Sequence, residues 1–268
     1  MIRDITIGQY YKADSVLHRM DPRVKLVGTI LYLVSLFLYT KAVPYVLAVV
    51  FLAAMIKLSK VPFSYIIRGL KAIVFILLLT ASFNLFFTPG QALFQYGIIK
   101  ITKEGITNAV YMAIRLILLI VGSSLMTLTT TPNQLTDGLE KLLKPLNKIK
   151  VPVHEIAMMM SIALRFIPIL LEETDKIMKA QMARGADFES GGLLKRVKAL
   201  IPILVPLFIS AFRRANDLAM AMEARCYNGG ENRTKMKPLI YAKRDFVGYI
   251  VLLIYLAGII AIGCFIPW

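Results

Sequence analysis

Residues Ile106–Thr130 read ITNAVYMAIRLILLIVGSSLMTLTT, an apolar stretch that holds a single charge, Arg115. A helix that crosses a bilayer needs about 20 mostly apolar residues, within a usable range of roughly 17–25. This stretch meets that requirement and sets the fold class. Four others meet it or nearly do: Leu26–Thr40, Ala42–Ile56, Ala72–Phe87 and Phe246–Ile266. The first two of these are short and joined at Lys41-Ala42-Val43-Pro44, so their ends must extend into flanking residues. Composition agrees, since the chain is 57% hydrophobic with a mean hydropathy of +0.67, outside the range of a soluble domain. The formal charge is nonetheless +16, so apolar and basic residues are segregated, as membrane insertion with basic cytoplasmic loops requires. Nucleic-acid binding is the usual rival for a basic chain. Here the basic residues border apolar runs and no nucleic-acid motif is present.

The orientation follows from the loops. Lys57, Lys60, Arg68 and Lys71 crowd the link between the second and third spans without an acidic residue. The links on the other side offer only Lys41, Lys100 and Lys103. The amino terminus and the stretch from Thr131 to Asp245 are therefore expected on the cytoplasmic side, and the carboxyl end outside. Residues 1–25 lack an apolar core and do not read as a cleavable signal. The link Thr88–Gly105, with Pro89-Gly90 and an alternating run from Gly97 to Thr102, predicts a small external hairpin. Arg115 lies near the outer end of its span, where a long basic side chain can reach the interface. Cys226 and Cys264 are far apart in sequence, as are His18 and His154, and none of them suggests a disulfide or a metal site.

Thr131–Asp245 divides into three helical segments. Thr131-Pro132-Asn133-Gln134 is a helix start that leads into Leu135, Leu139, Leu142, Leu143 and Leu146 at helical spacing. The second segment runs from Val153 to Gly185, interrupted by Pro168, and the third from Leu193 to Tyr227, interrupted by Pro202 and Pro206, so neither is expected to be straight throughout. Ile156–Leu171 and Ala199–Phe212 are hydrophobic, but Arg165 interrupts the first and the second is too short to span. They read instead as an apolar platform at the cytoplasmic face of the membrane. The charges beyond them, from Glu172 and Glu173 to Arg213, Arg214 and Asp217, read mostly as solvated helix faces.

Both long segments close on one short repeat, Ala180-Gln181-Met182-Ala183-Arg184-Gly185 and Ala221-Met222-Glu223-Ala224-Arg225-Cys226. Arg184 and Arg225 fall in final helical turns, where the exposed carbonyls favour a cation. Gly185 is suited to the left-handed residue that ends the first helix, and Asn228-Gly229 to that of the second. A cap needs only a nearby cation. Repetition of the whole A-x-x-A-R-small unit points further, to two arginine forks that dock in two similar grooves, with the alanines permitting close approach.

These residues resemble the transmembrane coupling (T) component of energy-coupling-factor transporters, ATP-binding-cassette importers for vitamins and metal ions. Ala183-Arg184-Gly185 and Ala224-Arg225-Cys226 look like that family's paired X-R-X signatures. Leu164-Arg165-Phe166-Ile167-Pro168 with Glu172, and Arg213-Arg214-Ala215, precede them as in the family. Gly8-Gln9-Tyr10, Ser15, His18 and Asp21-Pro22-Arg23-Val24-Lys25-Leu26 look like its opening. The resemblance implies that Ala183, Arg184 and Gly185 bind one ATPase subunit of a heterodimer and Ala224, Arg225 and Cys226 the other. It implies that the apolar side of the same helices, at Met158, Met159, Ile162, Phe166, Ile203 and Leu207, meets a substrate-binding S component. It implies a multi-pass protein of a prokaryotic plasma membrane. Eight of the chain's methionines, from Met158-Met159-Met160 through Met178, Met182, Met220 and Met222 to Met236, lie in this stretch. Such adaptable surfaces suit exchangeable S components.

The expectation is an all-α integral membrane protein with about five transmembrane helices. Residues 1–25 form a cytoplasmic segment, 26–130 four spans, 131–245 a coupling domain of three helices, two of them long and Pro-kinked, and 246–268 the last span. The chain has no G-x-x-x-x-G-K-[ST] loop, so ATP hydrolysis falls to partners. No cofactor, catalytic residue, metal site or nucleic-acid partner is expected, and membrane lipids surround the spans. The rivals are an enzyme acting on lipid headgroups, for which no cluster of acid, base and metal ligands stands out, and a conventional permease that forms its own pore.

Overall fold

A computed structural model of the chain describes residues 10–38, 42–71, 73–96, 99–188, 192, 197–230, 234, 236 and 238–265. Gly8, Gln9, Thr40, Lys41, Ala72, Gly97, Leu193 and Ile266, named above, lie outside them. The structure divides into two units, Gly8–Gly138 with Leu239–Trp268, and Leu139–Pro238 with Met1–Ile7.

In the first unit, α1 (Pro22–Leu38) and α2 (Ala42–Ser59) extend the two short spans in the direction expected. The extensions take in Pro22-Arg23-Val24-Lys25 at one end of α1 and Lys57-Leu58-Ser59 at the end of α2. Where the third span is expected there is a bent pair, α3 (Phe63–Lys71) and α4 (Val74–Phe87), which meet at 60° and are together long and apolar enough to cross a membrane. The expected hairpin is present as β1 (Ala92–Tyr96) paired antiparallel with β2 (Ile99–Thr102), the one sheet among the described residues of an otherwise helical fold. Thr102 joins it to α5 (Lys103–Thr129), accepting from Gly105 N–H at 3.0 Å and donating to the Thr88 carbonyl at 2.9 Å. The unit closes with α9 (Lys243–Phe265). Both α5 and residues Lys243–Gly263 of α9 are long and apolar enough to cross a membrane.

The core of this unit is where α1, α2, α5 and α9 meet, around Tyr32, Leu36, Ala48, Leu52, Leu118, Leu125, Leu252 and Tyr255. Gly122 of α5 is required there, because a Cβ would stand 2.6 Å from the Tyr32 ring. Outward-facing residues are large and apolar, among them Phe75, Phe87, Leu253 and Ile254. In water such a surface would be a liability, whereas in a bilayer it is the lipid-facing side. Arg115 donates from Nε to the Tyr45 hydroxyl at 2.8 Å and lies near the Phe37 ring. These partners occupy the end of α1 and the start of α2, so the charge is held at one end of the spans.

The second unit begins within α6 (Pro132–Leu143), whose start is a reciprocal cap. Gln134 N–H bonds Thr131 Oγ1 at 3.3 Å, and Thr131 N–H bonds Gln134 Oε1 at 3.1 Å. A 3-10 turn (Lys144–Ile149) leads to α7 (Val153–Ala183), then α8 (Ile201–Glu223). Pro168 lies inside a continuous α7. Pro202 does not interrupt the third segment but opens it. It sits in the first turn of α8, where the missing N–H has no helical partner to lose. One sequence argument is overturned: α7 is itself long and apolar enough to span, its most apolar window having a mean hydropathy of 1.6 despite Arg165.

Candidate functional site

The two repeated motifs close their helices with the same pair of backbone hydrogen bonds. At α7 the last turn closes on Arg184 (φ −87°, ψ 6°), and Gly185 follows in the left-handed region at φ +87°. Gly185 N–H donates to the Met182 carbonyl at 2.9 Å and Ala186 N–H to that of Gln181 at 3.0 Å. That pair of bonds is the Schellman pattern, which satisfies two of the carbonyls left over at a helix end. At α8, Cys226 N–H donates to Glu223 at 2.8 Å and Tyr227 N–H to Met222 at 3.0 Å, with Cys226 at φ +54°. The bonds correspond residue for residue, so Arg184 and Arg225 hold the same cap position. This corrects the assignment of the second helix end to Asn228-Gly229. Cys226 itself takes the left-handed place, and the two carbonyl bonds offset a conformational cost of about 1–2 kcal/mol for an L-residue.

Ala183, Arg184, Gly185, Ala224, Arg225 and Cys226 are all exposed, as are Ala180 and Ala221. Neither guanidinium has an ion-pair partner among the described residues. Each end therefore presents an unpaired arginine fork beside alanines that leave the backbone approachable. Arg225 also borders a shallow cleft with Met158, Ile162, Leu218, Met222 and Cys226.

The two ends are far apart, because α7 and α8 run antiparallel. Gln181 Nε2 donates to the Pro202 carbonyl at 3.3 Å. Further along, Glu173 accepts from the Ser210 hydroxyl and from Arg214 Nη2 at 2.9 Å and Nε at 3.2 Å. At the far end Met158 and Ile162 face Leu218 and Met222. At 1.5 Å per residue, the run of α7 from Met158 to Gln181 is about 35 Å, which sets the scale of the arginine separation. Glu173 and Arg214, which sequence reasoning placed on solvated faces, are thus a clamp between helices. Only their proximity in three dimensions reveals it.

Of the six residues expected to meet an S component, Met159 is exposed and Met158, Ile162, Phe166 and Leu207 are half-buried. Ile203 is buried, with 5% of its surface exposed. A more open apolar stripe lies on α8 at Val205, Phe208, Ile209 and Phe212, whose spacing puts them on one helix face. His154 bonds Glu140 at 3.0 Å and lies under Gly230, where a Cβ would stand 2.2 Å from the ring.

The amino-terminal motif is a second cluster, inside the first unit. His18 Nε2 donates to the Tyr11 carbonyl at 2.9 Å, so its neutral Nδ1 accepts from the Ser15 hydroxyl at 2.7 Å. Burial pushes this imidazole below its usual range. Asp21 pairs with Arg23 at 2.7 Å, and the Arg23 guanidinium lies 3.7 Å from the centre of the Tyr241 ring. Lys25 Nζ donates to the last carbonyl of α5, Thr129, at 2.8 Å. Asp245, 1% exposed, accepts from the backbone N–H groups of Asp21 and Ala242, both at 2.8 Å. The motif ties the start of α1 to the ends of α5 and α9. Asp245 carried no sequence signal, since its partner lies 224 residues away.

The cobalt transport protein family CbiQ matches residues 13–236. The chain is 56% identical to the energy-coupling factor transporter transmembrane protein EcfT of Clostridium kluyveri, over 95% of each chain. It is 53% identical to the protein of that name from Thermosediminibacter oceani, over 98% of this chain and 97% of the other. Against that of Bacillus subtilis it is 49% identical, over 97% and 98%. Matches of this extent leave no unit of the structure outside the likeness, and the chain belongs to the CbiQ/EcfT family of energy-coupling factor transporter transmembrane components, a bacterial membrane protein.

Proposed function

We propose that this chain is a coupling subunit in which Arg184 and Arg225 dock separately into two ABC ATPase subunits, a heterodimer, while the apolar side of α7 and α8 meets a substrate-binding S component. ATP is hydrolysed by the partners and the vitamin or metal ion is held by the S component, so this chain transmits motion between them. One observation carries the reading. Two equivalent Schellman ends present unpaired arginines at opposite ends of one antiparallel hairpin, about 35 Å apart along the helices. Two like sockets at that separation suit two homologous subunits side by side.

The topology supports it. Basic loops favour a cytoplasmic amino terminus and an outside carboxyl end, and put Thr131–Asp245 on the cytoplasmic side. Although α7 is long enough to span, a hairpin standing across the bilayer would send its two arginines to opposite compartments. Lying along the cytoplasmic face, it offers both to one. Met159 with the Val205–Phe212 stripe then forms the exposed part of the S-component surface, supported from behind by Ile203.

The test is charge reversal. Arg184→Glu and Arg225→Glu, singly and together, are co-expressed with the ATPases and scored by co-purification and coupled uptake. Each single variant loses at least tenfold in association, and the double variant loses the complex while the helix content of the chain is unchanged. An intact complex with normal uptake in the double variant refutes the docking role.

A further inference from the structure

We propose that the first unit holds one anionic phospholipid, its acyl chain in a cleft between α1, α2, α5 and α9 and its phosphate at Arg244 and Lys25. The cleft has a volume of about 180 Å³. Its walls are apolar, and its small residues are Gly28, Gly122 and Gly248. Apart from Thr29 and Tyr32, its polar side chains lie together. Lys25 at the start of α1, Thr129 at the end of α5 and Arg244 at the start of α9 gather at one end, the end at which α2 finishes with Leu58. We take this end, which Val16, Leu17 and Met20 also line, as the mouth at one membrane face. The opposite end is closed by the aromatic cluster of Tyr32, Phe51 and Tyr255, with ring centres 4.2 to 6.0 Å apart.

The dimensions choose the occupant. From Lys25 to Tyr32 on α1, and from Gly122 to Thr129 on α5, the cleft runs about 10 Å at 1.5 Å per residue. A partner's membrane helix is about 30 Å long and 10–12 Å across, too large to enter a blind slot of that depth. A segment of one acyl chain matches that depth, and the membrane supplies one at every position. Charge then selects the headgroup. Arg244 is exposed and has no ion-pair partner among the described residues, and the Lys25 ammonium beside it donates to the His18 and Thr129 carbonyls. The acidic groups nearest the mouth are engaged: Asp21 pairs with Arg23, and Asp245 is bonded by two backbone N–H groups.

Tyr32, 97% buried, closes the inner end of the cleft, and its hydroxyl is sealed from solvent without a hydrogen-bond partner among the described residues.

The experiment uses the full chain in nanodiscs containing phosphatidylglycerol or phosphatidylcholine, each with a photoreactive group on one acyl chain, and maps the labelled peptides. Wild type labels at Met55, Val247 and Val251 about fivefold more with phosphatidylglycerol, the factor expected of one basic side chain near a membrane surface. Arg244→Gln, an exposed substitution that leaves the core untouched, brings the two lipids to equal yield. Gly28→Phe fills the cleft, since a Cβ there meets nothing within 4 Å, and abolishes labelling at those residues with either lipid. Equal labelling of wild type by the two lipids means an unselective annular lipid and overturns the proposal. So does undiminished labelling in Gly28→Phe, or labelling confined to the outward faces of the helices.

Discussion

Cys226 offers the sharpest test of how the second docking end is built. If it occupies the left-handed cap position, replacing it by glycine removes a strain of about 1–2 kcal/mol. Glycine also gains freedom when the turn opens, which returns about 0.5–1 kcal/mol to the open form. The net gain is about 0.5–1 kcal/mol, or roughly a two- to fivefold increase in protection against local opening. The amide to watch is that of Tyr227, which donates to Met222 across the turn. Gly185→Cys at the first end should lower protection of the Ala186 amide by a similar factor, since that amide makes the equivalent bond to Gln181. Hydrogen exchange followed by mass spectrometry on both variants reads the pair. The reasoning is refuted if Cys226→Gly leaves Tyr227 protection unchanged or lowers it. That result would return the helix end to Asn228-Gly229. Should the docking surfaces need rigid ends, ATPase association follows the same order, with glycine at either position at least as good as cysteine.

Other outcomes follow from the first unit. Asp245→Ala leaves the N–H groups of Asp21, buried, and Ala242, part-buried, without an acceptor, and at about 1–3 kcal/mol for each should cost about 2–6 kcal/mol in a denaturant or thermal unfolding series. Asp245→Asn, which keeps one acceptor oxygen, should fall between. Gly122→Ala drives a methyl group into the Tyr32 ring and should destabilise by about 1–3 kcal/mol, and Tyr32→Leu should relieve it in a double-mutant cycle. His18 titrates below its usual value when folded, so the unfolded chain binds more protons through that window and stability falls as the pH drops below about 6.5. Amide exchange in the 11–20 turn should rise on acidification, and His18→Asn should flatten that dependence.

The arginine ends were legible in the sequence because the repeat places the same chemistry at the same offset from two helix ends, a one-dimensional signal. The rule used for the second end was less secure. It expected the nearest glycine to make the turn, whereas backbone hydrogen bonds select the position and a small L-residue can be held there. The Glu173–Arg214 clamp was hidden because a charge on an amphipathic helix looks the same whether its partner is water or a second helix. Pro202 was misread as an interruption because proline marks both the breaking and the starting of helices.

By itself, the sequence determined the membrane class, the order of the apolar helices, the hairpin before Lys103–Thr129 and the two arginine ends. These depend on local composition, on the length a bilayer demands, and on short-range turn chemistry. Tertiary structure alone decided that α7 and α8 lie antiparallel, so that two like motifs face apart rather than together. It also decided that Asp245 anchors the amino-terminal motif and that Gly122 makes room for Tyr32. Those are long-range outcomes: each is fixed by which buried polar groups find partners and which side chains share a volume, and neither is written in any one stretch of chain.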